Sequence, residues 1–301
     1  YVDYVIWGDT GKIIAVVEAK KASESGDKGR NQGKLYADCI QNMQGKRPII
    51  FYTNGFETYL WDDANSAPRL VSGIFPQKDI NAMIERRCIK KSVNSIQIDK
   101  QITDRWYQLR AVTKCCENYE KGIRKCLLVM ATGTGKTRTA ASIVDVMTRS
   151  ELMGKVLFLA DRKGLVKQAK DAFYKYIENT TMCNLLLNKD ERNAKIIFST
   201  YQTMLHAIDT IKNADGSRFF SPGHFSLIVI DEAHRSIFNK YKAIFQYFDA
   251  CLLGLTATPK NTIHQSTYTF FDMKNNIPTD VYEYEEAVEK DHVLVPFYLI
   301  E

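Results

Sequence analysis

Long apolar runs are missing from this sequence, and none approaches the ~18 residues that a helix needs to cross a bilayer. The opening stretch from Tyr1 to Trp7 is broken by Asp3 and followed by Gly8 and Asp9, unlike the apolar core of a secretory leader. A cytoplasmic protein is therefore expected, with no membrane among its partners. There is no initial methionine, so the chain is expected to be a piece of something longer. Cysteine is unpatterned: Cys39, Cys88, Cys115, Cys116, Cys126, Cys183 and Cys251 are odd in number and include no Cys-x-x-Cys pair. A disulfide framework or a zinc ribbon would need regular spacing. No sign of charge dominates either. The 41 Lys plus Arg against 35 Asp plus Glu leave +6, which permits nucleic-acid binding without requiring it. What is present suits a folded α/β protein: 301 residues, 45% hydrophobic and 25% charged, predict about two domains.

The first domain is predicted over 1–92. Val2 to Trp7 and Ile13 to Val17 flank the turn Gly8-Asp9-Thr10-Gly11 and predict a hairpin. Leu35, Tyr36, Cys39, Ile40 and Met43 recur at helical spacing within 31–43. A second hairpin is predicted from Pro48 to Trp61 around Asn54-Gly55, and a helix over 80–89. Residues 93–104 read as a linker. Beyond it, short apolar runs at 126–130, 156–160, 196–199, 227–230 and 251–255 alternate with helical patterns. They predict a mostly parallel sheet covered on both faces, ending near 262 and followed by a less regular segment, 263–301.

Ala131-Thr132-Gly133-Thr134-Gly135-Lys136-Thr137 lies between a predicted strand and a predicted helix, the context a P-loop requires. Gly133, Thr134 and Gly135 would wrap backbone N–H groups around phosphates at a helix N-terminus. Lys136 would reach the β- and γ-phosphates of ATP, and Thr137 would hold Mg²⁺. Asp231-Glu232-Ala233-His234 ends another predicted strand. Asp231 would bind Mg²⁺ through water, and Glu232 would orient and deprotonate the attacking water.

These motifs resemble the first RecA-like lobe of a superfamily 2 helicase of the DEAH type, over about 103–259 (105–262 taken as the lobe). The resemblance implies that Thr256 and Thr258 of Leu255-Thr256-Ala257-Thr258-Pro259, with His234, couple hydrolysis to nucleic-acid grip. A core role for His234 remains the other reading. It implies that Arg105, Tyr107 and above all Gln108 read adenine. Leu159-Ala160-Asp161-Arg162 and Ser199-Thr200-Tyr201-Gln202 would touch the sugar-phosphate backbone, which positions a duplex without reading its sequence. Such motors take an arginine finger from a second lobe, and 260–301 contains no arginine.

In the first domain, Glu18-Ala19-Lys20 places two ionisable groups on one strand face. A tight turn at 8–11 would pair Trp7 with Lys12 and Asp3 with Val16, putting Asp3 diagonal to Glu18 on that face, roughly 7–8 Å away. Asp3 and Glu18 could then share one Mg²⁺, with Lys20 beside them to orient a water. Asp9 and Glu57 are the acidic alternatives to Asp3. The arrangement resembles the PD-(D/E)xK nucleases, a restriction-endonuclease-like fold, although Val2 stands where the proline would be. Gln32 and Tyr36 resemble the Q-x-x-x-Y pair of a subset of them. A nuclease directly ahead of such a motor resembles the motor (R) subunit of type I restriction enzymes, whereas type III subunits carry the nuclease after the motor. That resemblance implies ATP and Mg²⁺, double-stranded DNA as substrate, and methyltransferase and specificity subunits as partners. The competing readings are a superfamily 2 helicase or repair translocase whose first domain binds DNA without cutting it, and a docking module. The basic cluster Arg86, Arg87, Lys90 and Lys91 reads as a solvated helix end or a DNA contact.

Overall fold

The structure, a computed structural model, describes residues 2–21, 23, 27–188, 191–233, 235–258 and 265–296. It divides into two units. Tyr1–Lys90 joins Thr210–Phe225 and Ala243–Asp249, while Lys91–Asp209, Ser226–Lys242 and Ala250–Glu301 form the other. The first domain therefore takes in two later segments that sequence patterning left with the motor. Among the described residues no helix is long and apolar enough to cross a membrane.

In the first unit β1 (Tyr4–Trp7), β2 (Ile13–Ala19), β3 (Ile49–Thr53), β4 (Thr58–Trp61) and β5 (Arg69–Val71) lie side by side in chain order. β2 and β3 are parallel, and helix α1 (Asp27–Gln44) makes the crossover between them. β2 is apolar on both faces because each is covered. Val16, Ile50 and Tyr52 meet Ala37 and Ile40 of α1. Ala15, Val17, Ile49 and Phe51 meet Ile80 of α2 (Gln77–Ile89). The helix α1 sits close to the sheet because a Cβ on Gly33 would fall 2.8 Å from Ile50 Cγ2, and one on Gly29 3.2 Å from Glu18 Cγ.

Both hairpins differ in register from expectation. Trp7 pairs with Ile13, not Lys12, and a bulge then sets Ile6 opposite Ala15 and Tyr4 opposite Val17. The side chain of Gln44 satisfies the bulge, accepting from Ile13 N at 3.0 Å and donating to Ile13 O. Continued by one residue, this register places Asp3 opposite Glu18 rather than Val16. Asn54-Gly55 does not close a two-residue turn: Thr53 pairs with Thr58, and the Asn54 side chain accepts from Phe56 N (3.1 Å) and Glu57 N (2.9 Å). Of the basic cluster, Arg87 is structural, paired with Asp62 at 2.7 Å and donating to Arg47 O at 2.6 Å.

The second unit is a parallel sheet in the order β12-β6-β11-β10-β7-β9-β8. Its strands are β6 (Lys125–Met130), β7 (Val156–Ala160), β8 (Met182–Asn184), β9 (Ile196–Thr200), β10 (Leu227–Ile230), β11 (Cys251–Thr256) and β12 (Asp280–Tyr282). The helices are α3 (Trp106–Glu120), α4 (Lys136–Arg149), α5 (Lys163–Tyr176), α6 (Tyr201–Asp209), α7 (Arg235–Tyr247, of which the part up to Lys242 belongs to this unit) and α8 (Gln265–Phe270). The sheet does not end near 262, since Val281 of β12 pairs with Val129 of β6. Nor is 93–104 a loose linker: Val93 and Ile102 are buried in this core, and the Glu120 carboxylate accepts from Val93 N at 3.0 Å. Both departures are short segments whose few apolar residues carry no period.

The close seat of α1 gives a first prediction. Gly33→Val should overpack the α1–β3 contact at a cost of about 1–3 kcal/mol. Amide hydrogen exchange should then speed up across α1 by about tenfold per 1.4 kcal/mol, and unchanged protection would show that the glycine is not needed.

Candidate active sites

In the first unit the parallel pair β2–β3 ends with Lys20 N donating to Thr53 O at 2.8 Å. Glu18 is only 1% exposed, covered where α1 passes at Gly29. One carboxylate oxygen, Oε1, accepts a charged hydrogen bond from Lys20 Nζ. The other, Oε2, is buried without a hydrogen-bond partner. Lys20 Nζ also donates to Gln32 Oε1 at 2.8 Å, and Gln32 Nε2 donates to the Tyr36 hydroxyl at 2.9 Å. Four of the sequence candidates thus form one chain, Glu18–Lys20–Gln32–Tyr36. Asp3 is exposed, and its Oδ2 accepts from Ala19 N at 2.8 Å, beside Glu18 on the neighbouring strand. Asp9 lies in the turn at the far end of β1 and accepts from Gln77 at 2.8 Å. The Glu57 carboxylate accepts from Tyr59 at 3.2 Å. No group of three or more His, Cys, Asp or Glu side chains suited to a metal occurs among the described residues. A buried carboxylate oxygen with no donor nonetheless fits a hard cation, which takes oxygen ligands.

The second unit assembles its candidates at the C-terminal ends of the parallel strands, where open α/β sheets bind ligands. The loop after β6 turns into α4 through Gly135, whose φ of 93° suits glycine. Its neighbour is Gln108: a Cβ on Gly135 would fall 2.5 Å from Gln108 Nε2. Gln108 is 2% exposed, and both ends of its amide are taken. Nε2 donates to Thr134 O at 2.9 Å, and Oε1 accepts from the Thr103 hydroxyl. Tyr107 donates to the same Thr134 carbonyl at 3.0 Å and accepts from Arg105 at 3.0 Å. In this arrangement Gln108 and Tyr107 brace the loop from behind. Tyr107 also stacks on Tyr282 of β12, with centroids 3.7 Å apart. Beside the loop lies a cavity of about 410 Å³ lined by Ala131, Thr132, Ala257, Tyr282 and Leu294, among others.

Lys136 Nζ donates to Met130 O at 3.4 Å. Burial pulls its pKa below the ordinary lysine value, against the opposing pull of Glu232 and Asp231. Burial, then the Glu232 charge, raises the Asp231 carboxyl above its ordinary value, while Lys136 opposes the rise. A cation at this point would relieve the crowding; Thr137, expected to share it, is half-buried at the start of α4. Glu232 adopts φ of 54°, a left-handed conformation costing a non-glycine residue about 1–2 kcal/mol. Thr256 is buried, and its hydroxyl accepts from Thr258 N at 3.2 Å. His234 and Pro259 lie outside the described residues.

The two stretches expected to touch a sugar-phosphate backbone divide by exposure. Asp161, Arg162 and Gln202 are exposed, whereas Leu159, Ala160, Ser199, Thr200 and Tyr201 are buried. Thr200 is spent on α6, its hydroxyl accepting from Thr203 N at 3.2 Å. Sequence reasoning missed the bracing role of Thr103 and the stack of Tyr282. The stack depends on a partner distant in the chain, whereas the polar Thr103 close before Gln108 offered a signal.

A family model described as Type III restriction enzyme, res subunit, matches residues 101–261. That is more than half of the chain. The chain belongs to this family. Among curated relatives of this ResIII protein, a type I restriction enzyme EcoAI endonuclease subunit of Escherichia coli is 32% identical, covering 99% of this chain and 37% of that subunit. The EcoKI endonuclease subunit of E. coli strain K12 is 32% identical over 52% of this chain and 15% of its own length. The chain thus spans 37% or less of the length of these relatives. A solved fragment assigned as an HsdR subunit of a type I restriction enzyme from Vibrio vulnificus YJ016 covers 96% of this chain and 50% of its own, with 24% identity and a TM-score of 0.48.

Gly135→Ala tests the braced loop. The substitution forces a side chain into a left-handed backbone and into the Gln108 amide, so it should destabilise the protein by more than about 1 kcal/mol. Thermal unfolding reads the change, and an unaltered Tm would show that this packing is dispensable.

Proposed function

We propose that this ResIII-family protein is the ATP-driven translocase and endonuclease subunit of a type I restriction–modification system. It moves double-stranded DNA with its second unit and cuts it with its first. One observation carries the reading: the chain Glu18–Lys20–Gln32–Tyr36, with its buried, unpartnered Glu18 oxygen, precedes a P-loop motor in the same polypeptide. The alignment with the EcoAI subunit supports type I over type III order, because it spans the first hundred residues as well as the motor. The buried, unpartnered Glu18 oxygen favours this reading over a superfamily 2 motor whose first domain binds DNA without cutting it. Methyltransferase and specificity subunits are the partners this reading requires, and the cytoplasm is its compartment.

At the nuclease site Glu18 and Asp3 would hold Mg²⁺, which when bound supplies charge to polarise the scissile phosphate. Lys20, aligned by Glu18 and Gln32, orients the attacking water and offsets phosphate charge. Attack at phosphorus breaks one P–O bond and leaves a phosphate and a hydroxyl end. In the motor, Lys136 grips the β- and γ-phosphates of ATP, and Gln108 and Tyr107 hold the loop closed behind them. Thr137 and Asp231 would hold the nucleotide's Mg²⁺. Glu232 takes the proton of the water that attacks the γ-phosphorus, giving ADP and phosphate. Thr256, Thr258 and His234 couple that step to DNA grip at Asp161, Arg162 and Gln202.

Three substitutions separate the two activities in the complete natural protein. Lys20→Ala and Glu18→Ala should each reduce plasmid cleavage by about 100-fold or more while DNA-stimulated phosphate release continues. Lys136→Ala should remove both. Cleavage that survives the first two changes would falsify the nuclease assignment.

A further inference from the structure

The left-handed backbone at Glu232 has an identifiable cause. A residue's φ and ψ are set by the two peptide planes that flank it, and here both planes are held by bonds from other elements. The peptide before Glu232 presents the Asp231 carbonyl, which accepts from the Tyr201 hydroxyl at 3.1 Å. The peptide after it presents the Ala233 N–H, which donates to Leu255 O at 2.8 Å. The Asp231 N–H is fixed too, donating to Leu159 O at 3.0 Å. With these bonds in place, Glu232 is kept at φ of 54° against its intrinsic preference.

Of these donors and acceptors, Tyr201 is the one supplied by a side chain. It opens α6, is 1% exposed, and stacks on Tyr241 at 5.2 Å and 20°. Tyr241 is itself the non-helical residue inside α7, the helix that follows the Asp231–His234 motif. The ring is thus clamped from one side while its hydroxyl reaches the motif. Burial raises its phenol well above the ordinary value, so it is a stable proton donor.

We propose that Tyr201 is a positioning residue for ATP hydrolysis, holding the peptide before Glu232 so that this carboxylate stands in its strained, water-orienting conformation. The inference rests on the ATPase reading above. It also reassigns Tyr201: its buried hydroxyl bonds the Asp231 carbonyl, and Gln202 beside it is the exposed member of that stretch.

Tyr201→Phe deletes the hydroxyl and keeps the stacked ring. In the complete natural protein, kcat for ATP should fall about 10- to 100-fold, because a small displacement of a catalytic group costs that much. The KM should stay within about twofold, because Lys136 and the P-loop bind the nucleotide without Tyr201. In a Glu232→Gln background the same change should have no further effect on residual turnover. Wild-type kcat in Tyr201→Phe overturns the inference, as does an equal further loss in the Glu232→Gln background. Wild-type protein with no turnover dependent on Lys136 would instead remove the ATPase reading itself.

Discussion

A carboxylate taken out of water at a strand end must be answered by something positive, and both units are organised around that requirement. In the first, Glu18 is buried where α1 crosses the β2–β3 pair, and Lys20 answers only one of its oxygens. In the second, Asp231 and Glu232 crowd each other at the end of β10, and Lys136 partly offsets them. Each arrangement is electrostatically incomplete by itself, and the function proposed above reads each as a place for a cation and a phosphate. The surrounding packing keeps it so. Gly29 lets the helix cover Glu18, and Gln108 fills the space behind Gly135.

The placement of Asp3 beside Glu18 and Lys20 was legible in the sequence, for a reason of parity. Side chains alternate along a strand, so a register slip of one residue moves a group to the wrong face, while a slip of two restores it. The hairpin departs from a tight turn by one residue at Trp7–Ile13 and by one more at the bulge before Ile6. The two errors add to an even number, so Asp3 and Glu18 stay on one face and come into direct opposition. The bulge itself was not legible. It is stabilised by Gln44, thirty-one residues away in the chain, which no local pattern reveals.

The second unit was legible where apolar runs are long and motifs sit at strand ends, as at Met130 and Ile230. It was illegible where function and structure use the same residue types. Gln108 has the chemistry to read a base, and the fold also gives its amide bonds to Thr134 and Thr103. Thr200 has a hydroxyl suited to phosphate, yet it caps α6. Tyr201 looked like part of a surface motif and is buried beneath it. A sequence pattern gives a side chain's chemistry, and only the fold gives its direction. The short strand β12 and the packed stretch 93–104 escaped notice because a few apolar residues have no period to read.

The central claim is that each unit holds one divalent cation, through Glu18 in the first and Asp231 in the second. Counting bound Mn²⁺ by electron paramagnetic resonance, with and without a non-hydrolysable nucleotide, tests it most directly. The account predicts two classes of ion. One should form without nucleotide and vanish in Glu18→Gln, and the other should require nucleotide and vanish in Asp231→Asn. A single, nucleotide-dependent class that survives Glu18→Gln would contradict it.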